Sequence, residues 1–301
     1  MNNEQTIDGK KLTLTHLDKV FWPDEGYTKG DVLDYYNTIA PHILKYMKDR
    51  PESLFRTPNG IKEGGFFHKD AAGDAPAWVK SVKLYSESAE KDINYIICNN
   101  RLTLLYLANL GCIEMNPWNS RLKNLDKPDY LVLDLDPSEN NTFGQVIETA
   151  QVIKTVLDKA GAASFPKTSG ATGIHIYVPL GAKYSYDQAK EFAHIVAHLA
   201  QEQLPGFTSL ERSLSKRGKD HIYIDFLQNR KGQTLSCAYS MRPKPGAPVS
   251  TPLEWNEVKR GLRPTDFTFR NITKRIEKKG DLFSGMLLKG IDMEKCLQKL
   301  A

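Results

Sequence analysis

Three short segments alternate apolar and polar side chains in the pattern of half-buried β-strands: YLVLDLD at 130–136, GIHIYVPL at 173–180 and HIYIDFL at 221–227. Because residues i and i+2 of a strand share a face, Leu131, Leu133 and Leu135 oppose Asp134 and Asp136 on the first. On the next, Ile174, Ile176 and Val178 oppose His175 and Tyr177; on the last, Ile222, Ile224 and Phe226 oppose His221, Tyr223 and Asp225. Between them the 3.6-residue period predicts helices over Thr142–Lys159, with Thr142 as cap and Gly161 as stop, and over Tyr186–Leu204. A further strand is expected at Ala163–Lys167. The order β-α-β-β-α-β is the ferredoxin-like arrangement, which places the first strand between the third and the fourth. With helices on the aliphatic face, the other face gathers three carboxylates, a histidine and aromatic rings.

The preceding 125 residues read as a second, mixed sub-module. A helix is predicted from Thr28 as cap to Pro51 as stop, with Val32, Tyr35, Ile39, Ile43 and Met47 at three-to-four spacing and Pro41 expected to break or kink it. Strands are expected near Ser53–Phe55, Phe66–His68 and Tyr95–Cys98, a short helix at Leu102–Leu110 and a connector over Asn116–Asp129. Beyond the βαββαβ run, Leu235–Met241 reads as one more strand, and MRPKPGAPVSTP leads into a basic tail.

Composition excludes several classes. No stretch approaches the roughly 18 apolar residues of a membrane span, the start MNNEQTIDGKKLTL lacks a secretory signal, and Cys98, Cys112, Cys237 and Cys296 are far apart with no CxxC pair. A soluble, cytoplasmic protein is expected. The net charge is mild, 41 − 36 = +5, but unevenly placed. Eight basic residues stand against three acidic ones between Glu211 and Lys244, and eight against two between Lys259 and Lys279. Such clusters suit a polyanion, and equally a solvated face.

Carboxylates at i and i+2 with a third on the adjacent strand suit a pair of Mg²⁺ or Mn²⁺ ions, since hard cations take oxygen ligands and two ions can clamp both oxygens of a phosphoryl transfer. The alternative is that Asp134 and Asp136 merely end a strand. The turn KTSGATGIH, Lys167 to His175, has two glycines that let backbone N–H groups approach an anion, with Lys167, Ser169, Thr172 and His175 as further donors. Alone it would be an ordinary hairpin; beside carboxylates it suits a triphosphate. His194 and His198 have the spacing of a metal pair without the Glu of HExxH, and no GxSxG or GxxxxGK[ST] occurs.

These residues carry a resemblance. The blocks LTHLDKVFWPDEGYTKGDVLDYY, GGFFHKDA, IEMNPWNSR, YLVLDLDPS, KTSGATGIHIYVPL, HIYIDFLQNRKGQT and YSMRPKPGAPVSTPLEW resemble the LigD-type polymerase domain of bacterial and archaeal end joining, a branch of the archaeo-eukaryotic primase superfamily. The resemblance implies an α+β primase-polymerase fold across 1–301, a ferredoxin/RRM-like catalytic sub-module (126–301, with the tail) packed on an N-terminal α/β sub-module (1–125). It implies a DNA-repair nucleotidyltransferase that extends a primer with NTPs or dNTPs and two Mn²⁺ (or Mg²⁺) ions. Asp134, Asp136 and Asp225 would bind metal; Ser169, Gly170, Thr172, His175, Lys167 and Arg242 would hold the nucleotide. Lys19 and Lys29 would grip a DNA 5′-phosphate, and Phe66 and Phe67 would meet the template. Implied partners are gapped or broken DNA, Ku and a separate ATP-dependent ligase; the chain is expected to be either a standalone polymerase or an excised domain, with ligation supplied separately. Thr172 stands where many relatives are basic, Asn116 where histidine is frequent, and His16 where asparagine is usual.

Two other classes share parts of the pattern. A HAD-type phosphohydrolase also runs an apolar strand into D-x-D, but here Ser138 replaces the usual Thr or Val, and Asp220 and Asp225 bracket a strand. A non-catalytic RRM-like module would stack bases on Tyr177 and Tyr223 and leave the three carboxylates unexplained.

Overall fold

The computed structural model describes residues 3–7, 9–71, 75–87 and 89–301. Its contacts resolve two compact units, each drawn from three stretches of chain. One comprises Met1–Lys123, Thr234–Ser250 and Phe267–Lys278; the other comprises Asn124–Gln233, Thr251–Asp266 and Lys279–Ala301. Segments 234–250 and 267–278, expected in the catalytic sub-module and its tail, belong instead to the unit with the N-terminal residues.

In the first unit, helix α1 (Lys29–Met47) starts at Thr28, whose hydroxyl accepts from the Asp31 N–H while the Asp31 carboxylate accepts from the Thr28 N–H. This reciprocal cap satisfies two otherwise unpaired donors. Val32, Tyr36, Ile39, Ile43 and Met47 are fully buried along one stripe. The helix runs unbroken through Pro41. Pro41 and Asn37, whose carbonyl loses its usual donor, both lie on the exposed face. Water can serve that carbonyl while the buried stripe holds both halves in line.

Next come β1 (Glu52–Arg56), β2 (Phe66–His68), the hairpin β3 (Ser81–Ser86) and β4 (Lys91–Ile96), helix α2 (Arg101–Asn109) and β5 (Cys112–Pro117). They form an antiparallel sheet β2-β1-β5 and a separate β3-β4 ribbon. The expected strand at Leu235–Met241 is not formed. Tyr239 takes the left-handed conformation (φ 69) and turns the chain, and its carbonyl accepts from the Tyr35 hydroxyl at 2.6 Å. Only bridges at Thr234 and Met241 remain of the extended pairing.

The second unit follows the alternation closely. Strand β6 (Tyr130–Asp136) leads to α3 (Phe143–Ala160), β7 (Phe165–Thr168), β8 (Ile174–Pro179), α4 (Tyr186–Gln203), the two-residue β9 (Thr208–Ser209) and β10 (Ile222–Asp225). Thr142 caps α3 with Gln145 closing the box, and Gly161 ends it in the left-handed conformation (φ 72). The sheet order is β7-β8-β6-β10-β9, with β6 central as the ferredoxin-like order requires. Leu131, Leu133, Leu135, Ile174, Ile176, Val178, Ile222 and Ile224 are fully buried, each such aliphatic chain contributing ~1.5–3 kcal/mol by burial. Two C-terminal helices, α5 (Ile272–Lys279) and α6 (Met293–Leu300), complete the chain. No helix among the described residues is long and apolar enough to cross a membrane.

Candidate active site

Register converts the alternation into a site. Asp134 of β6 lies directly opposite Asp225 of β10 on one side and His175 of β8 on the other, and His175 in turn opposes Lys167 of β7. Directly paired residues of neighbouring strands share a face, so Lys167, His175, Asp134 and Asp225 form one row across four strands. Asp136 stands two residues along β6, opposite Tyr223.

The row is wired at one end. Lys167, with no exposed surface, places its Nζ 2.9 Å from His175 Nδ1 and 5.6 Å from the Tyr177 ring centre. An ammonium carries only donors, so His175 Nδ1 accepts and its Nε2–H faces Asp134 Oδ1 at 3.3 Å. At the other end, Asp225 accepts from the Leu227 N–H at 2.8 Å and from Gln228 at 3.0 Å. Burial nevertheless pushes the Asp225 carboxyl above its usual range, these hydrogen bonds opposing it. Loss of solvent also raises Asp136, with the Arg217 guanidinium opposing and the charge of Asp225 reinforcing the shift.

Among the described residues no three His, Cys, Asp or Glu side chains converge tightly enough to enclose a metal ion. The donor set still fits a hard cation: three carboxylates on one sheet face, two of them with raised proton affinity. A charge that is costly to leave bare is one that a divalent ion would stabilise.

The 167–175 turn is a tight structure in its own right. The Ser169 hydroxyl accepts from the Ala171 and Gly173 N–H groups, each at 3.0 Å, and the Ser169 N–H donates to the Gly173 carbonyl at 2.9 Å. Gly170 has φ 74, and a side chain at Gly173 would come within 2.1 Å of the Leu135 carbonyl. Glycine is therefore required where the turn abuts the carboxylate strand. Thr172 is exposed at the tip. Lys167, read from sequence as a triphosphate donor, points into the sheet at His175, so it acts on the site by orienting that ring.

The remaining expected site residues lie in the first unit. Arg242 is nearly buried and pairs with Glu114 at 2.8 Å. Phe66 and Phe67 are 50% and 59% exposed, unusual for phenylalanine; Arg56 lies over Phe66, and Phe67 packs edge-on against Phe55. Lys29 is 5% exposed, its Nζ donating to the Thr15 carbonyl at 2.6 Å and hydroxyl at 3.0 Å. Burial, then the charge of Lys19, lowers its pKa to about 8. Lys19 itself donates to Asn59 at 2.6 Å.

One neighbour of the carboxylates was hidden within the basic run at 211–244. Arg217 is buried under the sheet edge with its guanidinium 4.9 Å from the Tyr223 ring and its charge acting on Asp136. Composition marked the run but not which arginine turns inward. The other readings of the pattern lose ground. Tyr177 and Tyr223 are buried, Tyr177 against Tyr130 and Phe283, so neither is a platform for bases. Asp220 is bonded to Asn140, and Ser138 donates to the His221 carbonyl, both closing a turn. His194 stacks on Phe226 and His198 meets Glu202.

Comparison with known proteins agrees with this geometry. The profile of the LigD primase-polymerase domain matches residues 28–283. The bifunctional non-homologous end joining protein LigD of Bacillus subtilis is 32% identical over 271 residues, 90% of this chain and 43% of that protein. The multifunctional non-homologous end joining protein LigD of Mycolicibacterium smegmatis is 31% identical over 282 residues, 91% of this chain and 36% of that protein. The polymerase domain of Mycobacterium tuberculosis ligase D, solved in complex with DNA, matches with a TM-score of 0.85 at 29% identity, covering 93% of this chain and 99% of that one.

Fold and site together define a primase-polymerase, a nucleotidyltransferase that uses nucleoside triphosphates and a divalent metal ion. Within that class the chain belongs to the LigD primase-polymerase domain family. It spans less than half the length of the full-length relatives it matches.

Proposed function

We propose that this chain is a template-directed repair polymerase that adds ribo- or deoxyribonucleotides to a primer 3′-hydroxyl at gaps and double-strand-break ends, in non-homologous end joining. The observation that carries the reading is the register: Asp134 opposite Asp225, with Asp136 two residues along and the Ser169–His175 turn opening beside them. Asp134, Asp136 and Asp225 would hold two divalent ions, Mn²⁺ by preference. Such ions, when bound, lower the pKa of a hydroxyl nucleophile and neutralise charge on a pyrophosphate leaving group.

The chain's own residues position and neutralise. Lys167 holds the His175 ring with its Nε2–H facing Asp134, where it orients that carboxylate. Ser169 and Gly170 keep the turn tight enough for a triphosphate to lie against it, with the Thr172 hydroxyl available at the tip. Arg242 would bind triphosphate oxygens, its guanidinium already oriented by Glu114. Lys19 and Lys29 would grip the 5′-phosphate across a gap, and the exposed Phe66 and Phe67 would stack on template bases. Ku and an ATP-dependent ligase activity are the partners this role calls for, in a cytoplasmic, nucleoid-associated setting.

The test is extension of a labelled primer on a gapped duplex carrying a 5′-phosphate, with Mn²⁺ and either ribo- or deoxyribonucleotides. Templated addition by wild type and none by Asp134→Ala is expected. Addition by the variant at the wild-type rate would overturn the metal assignment.

A further inference from the structure

The basic stretch at 259–279 is sorted by the structure into neutralised and unneutralised charge. Arg263 pairs with Asp266 at 3.0 Å, and Lys279 pairs with Glu254 and Glu257 at 2.5 and 3.0 Å. Arg275 lies 4.8 Å from the Phe267 ring. Lys274 and Lys278, both exposed, have no ion pair among the described residues. They are four residues apart on α5, on one face and separated by about 6 Å of helix rise.

Arg270, just ahead of α5, is joined to the lysine corner within the same unit. Arg270 donates to Asp31 Oδ1 at 3.1 Å, and Asp31 is the third residue of α1, whose other oxygen closes the cap at Thr28 beside Lys29. The Arg270 guanidinium is also held over Tyr27 (4.9 Å) and Phe269 (4.5 Å), rings that meet edge to face. Its side chain remains 55% exposed. A guanidinium clamped by two rings and a carboxylate loses little freedom on meeting a phosphate. Burial, and then the charge of the neighbouring Lys19, makes a charged Lys29 costly, a cost that an anion would relieve. Against these cations stand Asp31, engaged with Arg270, and Glu277 on α5.

We infer that Arg270 and the Lys274–Lys278 face of α5 form a second DNA contact, tracking the backbone of the duplex arm that continues from the strand whose 5′-phosphate sits at Lys19 and Lys29. The inference rests on the polymerase reading above for the identity of the polyanion. The arm is favoured as occupant by charge complementarity and by the continuity from Thr28, next to Lys29, through Asp31 to Arg270.

Binding is measured by fluorescence anisotropy on two 5′-phosphorylated gapped duplexes, one with a long arm beyond the phosphate and one whose arm ends within a few base pairs. Lys274→Glu combined with Lys278→Glu is expected to weaken binding of the long-arm duplex about tenfold and to lower the slope of log affinity against log salt by about 2, one unit per lost phosphate contact. The short-arm duplex is expected to bind as before. Equal weakening on both duplexes, or an unchanged salt slope, overturns the inference and leaves α5 a solvated helix. The alanine pair, which adds no new charge, is read in parallel and decides the case if the reversed pair does not fold. Templated extension by wild type on the short-arm duplex keeps the readings apart. Its absence removes the polymerase reading, whereas its presence with arm-independent binding removes only the α5 contact.

Discussion

The carboxylate face of β6 and β10 and the lysine corner at the start of α1 reach the same condition by opposite constructions. In the first, three anions are set side by side by strand register, and burial makes Asp136 and Asp225 hold protons more tightly than free carboxylates do. In the second, two cations are brought together by a loop folded back on a helix start, the Lys29 N–H bonded to the Lys19 carbonyl and the Gly30 N–H to the Leu17 carbonyl. Burial first, and then the Lys19 charge, makes Lys29 hold its proton less tightly, near pKa 8. Each region carries charge that its own neighbours only partly offset. One calls for a cation and the other for an anion.

The comparison breaks most sharply at the carboxylates. Asp225→Ala is expected to lower primer extension by at least about a hundredfold, the scale of losing one charge-stabilising group at a reacting centre. Its affinity for DNA should stay within twofold. A parallel loss of DNA binding would mean that Asp225 supports structure rather than catalysis.

Metal-free stability gives the next largest effect. A carboxylate whose folded-state pKa is raised opposes folding above that pKa, and the penalty fades as pH falls through it. Asp136→Asn combined with Asp225→Asn is therefore expected to melt above wild type at pH 7 without metal, the gap closing toward pH 4. Saturating Mn²⁺ should reverse the order by stabilising wild type alone, by about 2.7 kcal/mol at a hundred times its Kd. Equal melting of both proteins under all conditions would show that the site holds no cation.

At the lysine corner the effect is smaller and of opposite sign in pH. Lys19→Ala with Lys29→Ala should reduce the preference for a phosphorylated over an unphosphorylated gap about tenfold, while simple primer extension persists. Since Lys29 is charged below about 8 and neutral above it, the wild-type preference should fade between pH 7 and 9. A preference that is flat over this range would remove Lys29 from the phosphate site. Smallest is Thr142→Ala, which removes the α3 cap and should cost about 1 kcal/mol of stability in thermal unfolding, with no change in the nucleotide dependence of extension.

Much of this was legible before any coordinate. The alternation at 130–136 placed β6 to the residue, and Thr28, Thr142 and Gly161 marked helix ends because caps and left-handed stops are local chemistry. The same local rules failed where a distant neighbour intervened. Pro41 does not break α1, because its defect faces water and the buried stripe spans it. Leu235–Met241 is not a strand, because Tyr239 turns there with its carbonyl held by Tyr35. Lys167 was read as a donor to a triphosphate from its place beside a glycine turn, yet it is the most buried charge of the row.

The sequence by itself determined which residues share a strand face and where helices begin, since a period of two and a capping hydroxyl act within a few residues. It also named the chemistry, three carboxylates beside a glycine turn. Only the tertiary structure decided which charges are spent and which remain: Lys279 on its glutamates and Lys167 on His175, with Lys274 and Lys278 left open. Desolvation and pairing depend on groups up to hundreds of residues away along the chain, so no local pattern could assign them.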